Sequence, residues 1–278
     1  MRKHSLSSMV AVMAGLICGG GIAAQAQTGP PANRDLSGIW ALEQAAAPPW
    51  ASDAKTMFAS EMPMQQWAQE HCKEVGCARG LFSSGRPIGD AYLQGKDPVV
   101  ARCAPNGFPR VLLSGGLMEI LQVPNRVFMR FENFNELREI WTDGRGHPES
   151  PNRPWMGHAI GWWDGDTLVT DTIDFYGDPK IKWLDEAGHP HSEGLHVTER
   201  IRRTSQNTLQ DQVTFEDPKT FTAPIRGTVT YELRPDAEIA EFMWNCEDRI
   251  FADSPEDAWP FFTGEYPKPQ YPPAGTQP

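Results

Sequence analysis

Two stretches of this 278-residue chain gather side chains that can move protons or hold ligands. The first surrounds Asp164-Gly165, a hairpin signal. Read as a two-residue turn, it sets Trp163 opposite Asp166, and counting back pairs Ile160 with Val169 and His158 with Asp171. A carboxylate beside an imidazole fixes its tautomer and raises its basicity, as a general base needs. Ile160, Val169 and Trp162 would line the same side. A three-residue turn would shift the register by one and separate the pair, and a structural His–Asp hydrogen bond is the competing reading.

The second stretch is His189-Pro190-His191-Ser192-Glu193-Gly194-Leu195-His196, a loop leading into a strand that holds three of the seven histidines. Zinc or copper could be ligated there by His189, His191 and His196, with Glu193 as a further ligand. The spacing lacks the i, i+4 pattern of helix-borne ligands, so a loop over a cavity mouth and a solvated surface compete with the metal reading. No cofactor is favoured, with zinc or copper as the alternative. The chain has no Gly-x-Ser-x-Gly elbow, phosphate loop, dinucleotide fingerprint, His-Glu-x-x-His or Cys-x-x-Cys-His motif. Serine hydrolase, kinase and nicotinamide dehydrogenase chemistry are therefore poorly supported.

The elements that must carry these residues read as β-structure. From Met118 to about Trp244 the apolar positions recur with period two. Strands are expected at Met118 to Val123, Val127 to Glu132, Leu137 to Trp141, Gly157 to Trp163, Asp166 to Ile173, Leu195 to Arg202, Thr208 to Phe215, Ile225 to Leu233 and Glu238 to Trp244, with a first short strand in Asp35 to Trp40 and a helix from Met64 to Lys73 after Pro63. Regular strands with tight turns predict a mainly β fold: an antiparallel β-barrel, lipocalin- or calycin-like, with a short N-terminal helical segment. The expected organisation is an extension over 27–100, the barrel over 101–255 and a Pro-rich tail over 256–278.

Leu195, Val197, Glu199 and Ile201 share one strand face, while His196, Thr198, Arg200 and Arg202 share the other. If the polar face looks inward, His196 and Arg200 enter the cavity; if the apolar face does, Glu199 is the buried charge. Arg138 or Arg200 could clamp a carboxylate-bearing ligand. Trp141 and Trp162 could wall an aromatic pocket, with His191, His196 and Glu199 beside the ligand. His147 belongs to a loop, where it could join His158 and the later histidines at one barrel end.

Arg2 and Lys3 precede an apolar run from Leu6 to Ala24, and Ala24-Gln25-Ala26 supplies a cleavage signature. Residues 1–26 thus read as a signal peptide, placing the mature protein in the periplasm or outside the cell with no membrane span. Loss of Arg2 and Lys3 leaves 23 basic against 36 acidic residues, shifting the formal charge from −11 to −13. Nucleic acid is not an expected partner; a small molecule is. Four cysteines remain, read as disulfides pairing Cys72 with Cys77 and Cys103 with Cys246, against a metal reading whose spacing fits no zinc pattern.

Several motifs carry a family resemblance: Asp35-Leu36-Ser37-Gly38, Ala101-Arg102-Cys103 with Pro109-Arg110, Trp141-Thr142-Asp143-Gly144-Arg145, Trp155-Met156-Gly157-His158, Gly165-Asp166-Thr167-Leu168-Val169 and His189-Pro190-His191-Ser192-Glu193. Over Asp35 to Cys246 the chain resembles a large family of mostly uncharacterised exported bacterial proteins, which has no general assigned activity. A fold-level similarity to lipocalin-like barrels implies a cavity for a small apolar molecule. The functional expectation is cofactor-independent acid–base chemistry on a small aromatic or carboxylated molecule: a lyase or isomerase in which His158 and Asp171 catalyse elimination, decarboxylation or isomerisation. A non-catalytic carrier and an envelope module with a filled barrel are the alternatives.

Overall fold

A computed structural model describes residues 34–43, 62–77, 96–99, 104–113, 116–149, 154–178 and 182–240. The expected signal peptide, the expected Cys103–Cys246 disulfide and the Pro-rich tail lie outside the described residues. Among those described, nine strands close into one barrel in sequence order: β1 (Gly38–Leu42), β2 (Leu117–Val123), β3 (Arg126–Phe131), β4 (Glu136–Trp141), β5 (His158–Asp164), β6 (Thr167–Ile173), β7 (His196–Ser205), β8 (Thr208–Glu216) and β9 (Ile225–Leu233). β1 pairs with both β2 and β9, Trp40 lying opposite Leu233, so the barrel begins at Gly38. Residues 238–240 are not strand, and the rest of the expected Glu238 to Trp244 strand is outside the described residues.

Closure is antiparallel except between β4 and β5, which run parallel with Ile140 opposite Ala159 and Trp141 opposite Ile160. Parallel neighbours need a connection that returns the chain to the starting end. His147, Trp155 and Gly157 belong to the connection between these two strands.

The alternation along β7 settles which face is inside. Val197, Glu199 and Ile201 are buried, whereas Arg200 is exposed and His196 and Thr198 lie part-way. The inner wall is thus apolar, with Trp40, Ile120, Ile140, Val197, Ile201 and Phe215 among its buried residues. Arg138, Glu199 and Asp211 are buried there too. Arg138 donates from Nη1 to Glu199 Oε1 at 2.8 Å, from Nη2 to Glu199 Oε2, and from Nη2 to Thr172 Oγ1 at 2.9 Å. Thr170 donates to the same carboxylate. Burial opposes the Glu199 charge, but Arg138 outweighs it and holds the group below the usual glutamate value. As a carboxylate, Asp211 has no donor for either oxygen. Burial first, then the neighbouring Glu199 charge, raise Asp211 well above its ordinary value. A proton on Asp211 would remove the repulsion between the two buried acids.

Helix α1 (Gln66–Val75) ends on the left-handed Gly76, whose N–H reaches the carbonyl of Cys72. Directly beyond it Cys77 bonds Cys72, the expected local disulfide. Closing so short a loop is worth about 2 kcal/mol on chain-entropy grounds. Cys72→Ser with Cys77→Ser should lower the unfolding free energy by about that amount, measured by urea denaturation in non-reducing buffer.

The segment Asn106 to Leu113, ending in the short α2 (Arg110–Leu113), plugs the barrel. The Phe108 ring lies 3.7 Å beneath the Arg138 guanidinium, and the Leu112 carbonyl accepts from Tyr231 Oη at 3.4 Å. Arg110 is itself buried and bonded through two nitrogens to buried Asp97. No helix among the described residues is long and apolar enough to cross a membrane.

Candidate acid–base site

The β5–β6 hairpin forms, but its loop is Gly165-Asp166, because Asp164 pairs with Thr167. Gly165 has φ 64°, and a two-residue loop with a left-handed Gly first matches the strand twist. The expected register is therefore corrected by two positions: His158 lies opposite Ile173 and Asp171 opposite Ile160. A shift of two preserves faces, so His158 and Asp171 still share a side, now as diagonal neighbours. That side is the outer wall, since the alternate residues Ala159, Thr170 and Thr172 are the buried ones.

His147 bridges the diagonal. Its Nδ1 lies 2.8 Å from His158 Nδ1, and its Nε2 lies 3.2 Å from Asp171 Oδ1. His196 reaches the same oxygen through Nε2 at 3.0 Å, and its Nδ1 stands 3.9 Å from Glu216. The carboxylate only accepts, so His147 and His196 both carry their protons on Nε2. With neutral rings, His147 has its lone pair on Nδ1, and the 2.8 Å contact then requires His158 to donate from its own Nδ1. The remaining lone pair of His158 sits on Nε2. Burial first, then the adjacent His147, lower the His158 pKa, which keeps this ring in its basic form near neutrality. Side-chain exposures of 18% for His147, 29% for Asp171 and 38% for His196 leave the cluster within reach of a ligand.

Gly157 delivers His158 to this position. Its φ is 68°, and a Cβ there would stand 2.6 Å from the Phe175 ring and 2.9 Å from the Ile173 carbonyl oxygen, so a side chain is excluded. On the same outer wall, Trp141 is stacked by two guanidinium groups, Arg126 at 3.8 Å and Arg145 at 3.4 Å. Arg126 pairs with Glu139 and Arg145 with Asp143. Trp162 is exposed on this wall.

The other expected ligand residues are placed differently. Arg138 and Glu199 satisfy each other inside the barrel. Arg200 is outside, bonded to Asp164 at 2.8 Å, because the apolar face of β7 turned inward. His189, His191 and His196 go to three separate partners: His189 Nδ1 to Asp185 at 2.8 Å, His191 Nδ1 to the Ser192 carbonyl at 2.9 Å, and His196 to Asp171. They do not converge. Among the described residues the metal-type donors that cluster are instead Cys72, Cys77 and His189. The His189 to Glu193 loop is pinned by Asp185, which accepts two backbone N–H groups, and by Asp217, which accepts the N–H and hydroxyl of Ser192.

A second group of polar residues lies inside, of which sequence reasoning singled out only His191. Lys182 is buried, donates to the Trp155 carbonyl, and stands 5.1 Å from the Phe175 ring centre. Burial lowers it to about 7, against the opposing charge of Glu136. Glu136, accepting the Gly107 N–H, is raised to about 7, again by burial. Buried His191 packs edge-on to the same Phe175 ring; burial, then Lys182, lower it to about 3, and its Nε2 has no partner. The only local signal was a lysine between Ile181 and Trp183.

Lys182 makes stability depend on pH. Its folded value is below its unfolded 10.5, so between about 7 and 10.5 the unfolded chain binds the extra proton and stability rises with pH. Below 7 the penalty is complete. Lys182→Met should therefore be stabilised relative to the parent at about pH 6, with the gap closing toward pH 10.5. Urea midpoints across that range check it; parallel curves would contradict the assignment.

No protein-family model matches the chain, and no curated protein matches it significantly. The closed barrel is a fold compatible with binding or carrying a small molecule.

Proposed function

We propose that the protein is an exported, cofactor-independent acid–base enzyme acting on a small carboxylated or aromatic molecule at its outer wall, with His158 as the base. The observation carrying this reading is the hydrogen-bonded series His158, His147, Asp171, which assigns the lone pair of His158 to Nε2. Arg126 and Arg145, which sandwich Trp141 on this wall, offer guanidinium groups to a carboxylated substrate. Arg145 also acts electrostatically on His158.

In the proposed step, His158 Nε2 takes a proton from carbon activated by a neighbouring carbonyl or carboxylate. The electron pair moves onto that group's oxygen. Returning the proton to another carbon gives isomerisation, and expulsion of a group from the next carbon gives elimination. As His158 becomes cationic, the proton on its Nδ1 shifts toward His147, whose Nε2 proton faces Asp171, so the charge spreads over the series.

Hydrogen–deuterium exchange at carbon tests the step without a known product. Aromatic and aliphatic carboxylates with an acidic C–H, incubated with the protein in D2O, should include some that exchange faster than in buffer. An exchanging compound that exchanges as fast with His158→Ala would remove the base from the proposal.

A further inference from the structure

We propose that reduction of the Cys72–Cys77 disulfide opens a copper(I) site formed by the two thiolates, the imidazole of His189 and the thioether of Met64. The two sulfurs and a His189 ring nitrogen lie within 4.8 Å of one another. Met64 Sδ is 3.7 Å from Cys72 Sγ. Three donors thus gather beside the C-terminal end of α1, with Met64 next to one of them.

The imidazole is held as a metal ligand would be. Asp185 accepts from His189 Nδ1 at 2.8 Å and from the His189 backbone N–H at 3.1 Å, fixing the ring and leaving Nε2 for a metal. A carboxylate behind a histidine in this way orients the ring and raises its donor strength. The neighbouring Gly188 has φ 95°, and a Cβ there would lie 3.4 Å from Cys77 Sγ. The positive φ is what calls for glycine where the chain turns into His189. His71, whose Nε2 lies 3.3 Å from the Gly188 carbonyl, braces the loop from the helix side.

Two thiolates and a thioether with one imidazole form a soft donor set unsuited to hard cations; zinc takes thiolate, imidazole and carboxylate ligands, so the thioether favours copper(I). The redox step needs an external dithiol. That reductant becomes a disulfide while two electrons and two protons convert Cys72–Cys77 to thiols, and copper(I) then displaces the two thiol protons without changing oxidation state. Because the cysteines are five residues apart on one turn, they stay close when the bond opens.

The test is anaerobic titration with copper(I) in competition with a colorimetric chelator, using the chain with Cys18, Cys103 and Cys246 replaced by Ser so that only this pair responds. The reduced chain should take one copper(I), and the oxidised chain should bind at least about 100-fold more weakly. Asp185→Asn should lower the affinity of the reduced chain by about 10–100-fold, and Met64→Leu should lower it by less. X-ray absorption of the same chain, reduced and copper-loaded, should show nitrogen beside sulfur, lost in His189→Gln. Equal binding by oxidised and reduced chains would overturn the proposal. So would a sulfur-only shell whose affinity ignores Asp185→Asn, the behaviour of two thiols without a built site.

Discussion

Arg138→Met is expected to cost about 3–5 kcal/mol, a large share of the roughly 5–15 kcal/mol by which a folded protein is usually stable. Arg138 is the cation of a sealed network: it donates to both oxygens of Glu199 and to Thr172, and lies over Phe108. Without it, Glu199 is a buried anion beside Asp211, with a hydroxyl donor but no cation. Removing one member of a buried pair costs far more than removing both, because the orphaned charge remains. Arg138→Met combined with Glu199→Leu should therefore recover most of the loss. The residue should be the unpaired acid of Asp211, about 1–3 kcal/mol. Chemical denaturation of the two single variants and the double variant gives the coupling; additive losses would mean that the network is not cooperative.

The second large effect concerns turnover of whichever carbon acid exchanges. His158→Ala should lower kcat by about 10²- to 10⁴-fold, the usual worth of a positioned base. His147→Ala leaves the base in place but frees its tautomer, so kcat should fall less and the pH profile should move with the altered His158 pKa. Asp171→Asn should act in the same sense as His147→Ala, because the amide can donate to His147 and invert the proton order. His196→Ala removes only the second donor to Asp171 and should be mildest. Steady-state rates across pH separate these outcomes, and equal losses in all four variants would indicate general collapse of the outer wall.

The barrel was legible because strand periodicity and glycine turns are local properties. β2, β3, β5, β6, β8 and β9 fall within a residue or so of expectation, and the Cys72–Cys77 disulfide formed where its spacing suggested. The β5–β6 register was misread because Asp164-Gly165 looks like a loop, whereas the left-handed glycine belongs first in Gly165-Asp166. The error of two kept His158 and Asp171 on one face. No local pattern shows which face of a strand lines the interior when Glu199 and Arg200 are both charged; the pairing of Glu199 with Arg138, 61 residues away, decided it. Distance hid Lys182 and Glu136 in the same way, since each matters only through burial among segments remote in sequence.

The central claim is that His158 presents a basic Nε2 because His147 and Asp171 dictate its proton. Nitrogen-15 NMR of the imidazole rings reads this directly. Above the pKa of His158, the predicted spectrum has a protonated Nδ1 and an unprotonated Nε2 for His158, with the opposite tautomer for His147 and His196. In His147→Ala, His158 should lose that preference. A wild-type His158 protonated on Nε2 and bare on Nδ1 would contradict the account.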